Sequence, residues 1–333
     1  MGKEYLERLN NFKDIKKVDK SSYEYIKSGI NLFDKKIGGF IKGQISVWSG
    51  LNGSGKSAFL NQQVIEYVNQ GYKVLLFSGE LLDYSLQNII YRLIAGRKNL
   101  VPSDNKIYYY VKDNEVKENI DRYLDGKVYI YNNDYGTKAN EIIQTIISAK
   151  EELNVDIVIL DNLMTLDLRV YDKDKYEAQS LFSKELANLT KKLNIHTHIV
   201  AHPRKVTGYL RKMDISGSAD LSNAVDNVFV IHRVNSDFKR EYSLFRDGKQ
   251  GDGTTIFDSY DSVIEICKNR EEGVIDYFVP LYFEPITKQF VEEKGKEKSY
   301  YNTVKLFIDN NFKEERIEND NTLNEFDNLD FLD

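Results

Sequence analysis

Apolar and polar positions along the chain alternate between two periods, and that alternation predicts an ordered series of strands and helices. Short unbroken apolar runs read as buried strands: "QISVW" (44–48), "YKVLLFSG" (72–79), "VDIVILD" (155–161), "IHTHIVAH" (195–202) and "DNVFVIHR" (226–233). Between these runs, apolar residues recur at helical spacing. Ala58, Leu60, Val64 and Val68 mark one helix, and a second is predicted over roughly 84–96. Ile142, Ile143, Ile146, Ile147 and Leu153 mark a third, and a fourth is predicted over about 176–193. "SVIEICK" (262–268) and "VIDYFVPLYF" (274–283) read as two further strands near the C-terminus. The pattern predicts an α/β fold: a mostly parallel central sheet covered by helices, with antiparallel additions late in the chain. Residues 101–137 are rich in tyrosine, keep neither period and read as irregular. No internal repeat is visible.

The two ends differ from the middle. Residues 1–28 form a charged lead-in in which Leu6, Leu9, Phe12 and Ile15 recur every three positions, predicting a short amphipathic helix with little core of its own. Its apolar stripe either folds back on the domain or docks on a neighbouring subunit. Residues 29–310 then read as one folded domain. Residues 311–333 form an acidic tail, "EERIENDNTLNEFDNLDFLD" at its end, whose composition predicts disorder.

Composition narrows the setting. No apolar run reaches the ~18 residues of a membrane-spanning helix, and the lysine-rich, acid-containing N-terminus does not resemble a secretory signal, so no membrane partner is expected. The single cysteine, Cys267, excludes an internal disulfide and a cysteine zinc site, and it suits a reducing, cytoplasmic compartment. A net charge of −6 argues at first against a nucleic-acid partner. However, residues 313–333 hold eight acids against two bases, which accounts for the whole excess. The body is near neutral and leaves room for local basic loops.

The chemistry begins at "SVWSGLNGSGKSAFL". Three glycines in six positions, Gly50, Gly53 and Gly55, precede Lys56 and Ser57 in the spacing G-x-x-x-x-G-K-[ST], between a predicted strand and a predicted helix. In that setting backbone N–H groups from Gly50, Asn52, Gly53, Ser54, Gly55 and Ala58 turn inward around nucleotide phosphates at a helix N-terminus. Lys56 reaches the β- and γ-phosphates of ATP or GTP, and the Ser57 hydroxyl holds Mg²⁺. Hydrolysis needs more than binding. Asp161, ending the strand "DIVILD", supplies the metal-positioning acid, and Glu80, just past "LLFSG", is placed to align an attacking water. His202, ending "THIVAH", points toward the γ-phosphate as its sensor. Directly after it, "PRKVTGYLRKM" carries Arg204, Lys205, Arg211 and Lys212. This cluster either binds the phosphates of a nucleic-acid strand or is a soluble loop, and its place behind a nucleotide sensor favours the first. His196 and His198 flank one strand residue, and without a cysteine or acid partner they read as packing residues.

Taken in order, "GLNGSGKS", "FSGEL", "IVILDN", "THIVAHPRK", "DISGSADLSNAVDNVFVIHR" and "CKNREEGVIDYFVPLYF" resemble the RecA-like replicative DNA helicases of the DnaB and Twinkle type. The resemblance covers about residues 28–290, and it is similar to the helicase part of phage primase-helicases. It implies a RecA-like P-loop core that uses ATP and Mg²⁺, assembles as a hexameric ring and moves 5′-to-3′ on single-stranded DNA to open forked duplex. It also implies that His202 senses the γ-phosphate and that the basic loop from Arg204 and Lys205 grips DNA. Lys268 and Arg270 of "KNR" then reach the ATP of a neighbour, and Arg233 lies near the nucleotide base. A polymerase or a separate primase becomes a candidate partner for the acidic tail or the N-terminal segment. Two departures stand out. The primase-helicases carry zinc-binding and primase domains for which this sequence has neither cysteines nor length. In addition, "EEGVIDYF" replaces a Gly-rich aromatic stretch after Arg270. Two other readings stay open: a RecA-like DNA-stimulated ATPase of recombination or repair, and a RecA-like signalling ATPase acting on protein partners.

Overall fold

The computed structural model describes residues 6–203, 208–215, 222–247 and 256–310. In chain order its strands are β1 (Ile45–Ser49), β2 (Val74–Ser78), β3 (Leu100–Pro102), β4 (Tyr109–Val111), β5 (Val128–Ile130), β6 (Ile157–Asp161), β7 (His196–Val200), β8 (Asn227–Arg233), β9 (Ser262–Asn269), β10 (Tyr277–Glu284) and β11 (Gln289–Val291). Nine of them make one sheet in the order β11-β10-β9-β8-β1-β7-β6-β2-β5, while β3 and β4 pair separately. The strands from β8 to β5 are parallel. β9, β10 and β11 add antiparallel at the other edge. The architecture is therefore mixed α/β, with a mostly parallel sheet and antiparallel strands toward the C-terminus.

Helices cover both faces: α1 (Asn31–Ile37), α2 (Lys56–Asn69), α3 (Asp83–Ala95), α4 (Asn114–Leu124), α5 (Ala139–Leu153), α6 (Lys175–Leu193) and α7 (Ser236–Asp247), with a further helical run over 300–310. Successive strand side chains point to opposite faces. Trp48 accordingly joins Phe33, Phe59 and Phe229 in one core, and its neighbour Val47 joins Ile142, Phe182 and Leu186 in the other. Because both faces are packed, the parallel strands carry continuous apolar runs rather than alternating ones. Among the described residues no helix is long and apolar enough to cross a membrane.

β7 carries two fully buried histidines, and every ring nitrogen has a partner. His198 Nδ1 accepts from Trp48 Nε1 at 3.0 Å, so its Nε2 carries the proton and meets the Tyr67 hydroxyl at 2.8 Å. His196 Nδ1 donates to the Ile41 carbonyl at 2.8 Å, leaving Nε2 to accept from Ser46 at 3.1 Å. Both are packing residues.

Three stretches differ from the sequence expectations. Residues 101–137 are not irregular: they contain the β3–β4 hairpin, α4 and the edge strand β5. β3, β4 and β5 have three residues each, too few to show a period, whereas α4 does carry helical spacing at Val116, Ile120 and Tyr123, set among mostly charged and polar residues. Over the described residues 6–22 the predicted amphipathic helix does not run past Leu6, which is helical, and residues 1–5 lie outside the described residues. After Leu6 the described helical elements of this stretch are short 3₁₀ turns, at Phe12–Asp14 and Lys20–Ser22. Nor does the stripe fold back: Leu6, Leu9, Phe12 and Ile15 are 62%, 70%, 90% and 51% exposed. A short helix without a surface to bury against does not offset the cost of nucleation. The core itself begins a little before residue 29, since Ile26 is fully buried and bridges Phe40. The acidic tail lies outside the described residues.

Candidate functional site

The carboxyl ends of β1, β2, β6, β7 and β8 open onto one cavity of about 1230 Å³. This is where ligands sit in open parallel sheets. β1 is buried from Ile45 to Ser49 and is pinned to the end of β7 by Ser49 Oγ, which donates to the Ala201 carbonyl at 2.7 Å. The chain then turns through the glycine loop into α2, and Asn52 through Ala58 line the cavity. Gly55 caps α2 in a left-handed conformation, φ 98°. A Cβ there would also lie 2.6 Å from the Phe290 ring, so only glycine fits. Phe290 belongs to β11, which Gln62 of α2 holds by accepting from its N–H and donating to its carbonyl. The C-terminal strand thus closes on the back of the loop.

Lys56 is buried, and its ammonium donates to the carbonyls of Gly50 at 2.7 Å and Leu51 at 3.2 Å. Burial pulls its pKa down, opposed by the charges of Asp161 and Glu80. Asp161 ends β6 and accepts a hydrogen bond from Ser57. Burial pushes its carboxyl above the usual range, Glu80 adds to that, and the Ser57 bond and Lys56 oppose it. A buried carboxylate beside a hydroxyl, both hard oxygen donors, fits a small divalent cation. Ser54 Oγ is buried in the same loop with no partner among the described residues, which fits a phosphate oxygen as acceptor.

Glu80 is placed by strapping rather than by burial. Gly79 N–H donates to the Asp161 carbonyl at 2.8 Å, drawing the chain after β2 onto the end of β6. A side chain at Gly79 would collide with Thr165. Asn133 holds the same turn by donating to the carbonyls of Ser78 and Leu81. Asn162, 1% exposed, then donates to Glu80 Oε1 at 2.6 Å. His202 stands two residues past β7, its Nε2 3.9 Å from the same oxygen. Burial and Lys56 pull the imidazole pKa down, so at neutral pH it is the uncharged ring. Arg233, at the end of β8, is exposed and lines the far wall.

Lys56, Ser57, Glu80, Asp161, His202 and Arg233 are therefore brought to one cavity. Other candidates are elsewhere. β9 runs antiparallel to β8, with Arg233 opposite Ser262 and Asn227 opposite Asn269. This puts Lys268 and Arg270 at the opposite end of β8 from the cavity, about 20 Å along the strand. There Lys268 Nζ donates to the carbonyls of Ser222 and Val225, both at 2.7 Å. Its pKa falls to about 8, through burial first and then the charges of Arg270 and Lys212. Arg204 and Lys205 lie outside the described residues. Arg211 and Lys212 are described and do not line the cavity. A bridge between Pro203 and Ile215 closes the neck of their loop, and Tyr209 and Leu210 within it are buried.

Asn162, Phe290 and Lys288 also line the cavity and had no role in the sequence reading. Asn162 follows Asp161 directly, so its position was readable but its partner was not. Phe290 and Lys288 arrive from some 230 residues downstream of the loop and carry no local signal.

Residues 25–292 match the family model described as the DnaB-like helicase C-terminal domain. Among solved structures, an ATPase domain matches at TM-score 0.62 and 15% identity, over 83% of this chain and 93% of its own. A DnaB-like replicative helicase, solved to show its interactions with primase, matches at TM-score 0.64 and 15% identity, over 81% of this chain and 62% of that one. A KaiC-like protein from the hyperthermophilic archaeon Pyrococcus horikoshii matches at TM-score 0.53 and 15% identity, over 81% and 98%. At this identity the three likenesses speak for the fold, which is RecA-like.

Proposed function

The chain belongs to the DnaB-like helicase C-terminal domain family, and on that premise we propose that it is a ring-forming, ATP-driven replicative helicase. It translocates on single-stranded DNA, with 5′-to-3′ polarity, and opens forked duplex by excluding the complementary strand. The observation that carries the reading is the division of charged groups between two ends of one sheet. Lys56, Ser57, Glu80, Asp161, His202 and Arg233 share a cavity. Lys268 and Arg270 lie at the opposite end of β8 from that cavity, which supports their acting on the nucleotide of an adjoining subunit.

In this mechanism the loop amides and Lys56 bind the ATP phosphates, and Arg233 flanks the base. Ser57 and Asp161 would hold Mg²⁺, which would supply positive charge to offset that of the phosphates. Glu80, aimed by Asn162, orients the attacking water and takes its proton. Neutral His202 contacts the γ-phosphate and passes its loss to the following loop. Arg270 and Lys268 of the neighbour stabilise charge on the transferring phosphoryl group, so hydrolysis is coupled to assembly. Arg204, Lys205, Arg211 and Lys212 grip the strand through its phosphates. A primase or polymerase is the proposed partner of the N-terminal segment or acidic tail.

Strand displacement from a forked duplex tests the proposal. The wild-type chain should displace the strand in an ATP- and Mg²⁺-dependent way, and Lys56→Ala should lower the rate by about a hundredfold or more. DNA-stimulated hydrolysis without displacement would point instead to a recombination-type ATPase. Hydrolysis indifferent to DNA would point to a signalling role.

A further inference from the structure

The carboxylate of Asp226 is 3% exposed, and none of the chemistry above gives it a role. One oxygen, Oδ2, accepts from the backbone N–H of Ile45, the first residue of β1, at 3.0 Å. The other, Oδ1, accepts from Arg270 Nη1 at 2.7 Å. The backbone doubles both links: Asp226 N–H donates to the Ile45 carbonyl, and Arg270 N–H donates to the Asp226 carbonyl. Arg270 Nη2 meets the carbonyls of Asn223 and Val225 at 3.2 and 3.3 Å.

These contacts orient the guanidinium without exhausting it. Of its five N–H donors, at most three are engaged, and Nε has no acceptor among the described residues. The side chain is still 47% exposed. Lys268 stands close enough to feel its charge, and Asp226 is the one carboxylate paired with Arg270 among the described residues. A half-exposed guanidinium with spare donors, fixed from behind by a buried acid, is an arrangement that awaits an anion. Its fixed point is β1, the strand that runs directly into the phosphate loop of the same subunit. One rigid strand would thus carry both the loop that opens one subunit boundary and the arginine that completes the next.

We propose that Asp226 is a positioning residue, holding the Arg270 guanidinium in the orientation from which its free donors reach the nucleotide of the adjoining subunit. The proposal rests on the reading of Arg270 as a group that acts across the boundary. Fixing a long side chain in advance means its freedom is not lost in the transition state, so the expected effect falls on kcat rather than on KM.

Basal ATP hydrolysis by mixed oligomers separates this role from a purely structural one. Asp226→Asn alone should lower kcat about tenfold or more, with KM for ATP within about twofold. A mixture of Arg270→Ala with Lys56→Ala subunits contains boundaries with one intact phosphate loop and one intact arginine, so hydrolysis should exceed the mean of the two parents. The Asp226→Asn and Lys56→Ala mixture should recover to the same extent. Asp226→Glu, which keeps the charge but shifts the guanidinium by a methylene, is the second variant and should behave likewise. If the Arg270→Ala mixture recovers but neither Asp226 mixture does, Asp226 serves only its own subunit's fold and the proposal is overturned. If no mixture recovers, Arg270 does not act across the boundary, and both readings fall.

Discussion

At the level of single residues, the site divides into groups that a local motif announces and groups that only the fold brings in. Lys56 and Ser57 sit in a spacing that means one thing, and Asp161 and Glu80 sit at strand ends beside it. Asn162 is different. Its side-chain amide donates to Glu80 Oε1 at 2.6 Å while its own oxygen accepts from Met164 N–H at 2.8 Å, so the amide orientation is fixed from both sides. An exposed glutamate held this way keeps one carboxylate oxygen turned to the cavity. Glu80→Gln should therefore lower kcat by about a hundredfold or more while nucleotide affinity persists. Asn162→Ala should cost about tenfold in kcat with little change in KM, because it loosens aim rather than removing the base. Steady-state hydrolysis with nucleotide titration checks both. An Asn162→Ala chain with wild-type kcat would remove it from the positioning of Glu80.

At the level of elements, the strands buried on both faces were legible because a helix-covered parallel sheet demands continuous apolar runs, and β1, β2, β6, β7 and β8 all have them. Legibility failed where elements are short. β5 has three residues, all half-buried at the sheet edge, and β11 has three whose burial depends on Gln62 far upstream. β7 adds a consequence that its apolar pattern conceals. Burial holds His196 at about 4 and pushes His198 well below its usual value, with the neighbouring His196 adding to the second shift. The folded state prefers the neutral rings, so their contribution is complete above the unfolded pKa near ~6.5. It is lost as pH falls from there toward about 4. Between pH 7 and pH 5 the His196 shift alone should remove about 2 kcal/mol of stability. Denaturant midpoints across that interval measure it, and a midpoint unchanged from pH 7 to pH 5 would contradict the assignment.

At the level of the whole molecule, two features would be accounted for by the proposed assembly of several subunits. One is the separation of Lys268 and Arg270 from their own cavity. The other is the exposed row Leu6, Leu9, Phe12, Ile15 and Val18, none of which touches the core. The two features meet at Lys20, whose ammonium pairs with Glu271 at 3.4 Å and Glu272 at 3.0 Å. The N-terminal segment therefore leaves the body beside Arg270, on the side proposed to face the neighbour. Apolar side chains of this size gain roughly 1.5–3 kcal/mol each on full burial, so even partial burial of the row would offset the ordering of a short segment. A partner surface covering the segment would let a helix extend over the row, in keeping with a periodicity that the described residues past Leu6 do not realise as helix. Removing residues 1–18 should abolish nucleotide-dependent oligomers in sedimentation and lower basal hydrolysis about tenfold or more, since Arg270 would lose the nucleotide it serves. The melting temperature should stay within a few degrees, because the apolar side chains described in this stretch, Leu6 to Val18, are exposed. Phe12→Asp with Leu9→Asp should reproduce the effect at full length. A truncated chain that still assembles would move the subunit contact away from this row and leave the Arg270 face to hold the ring alone.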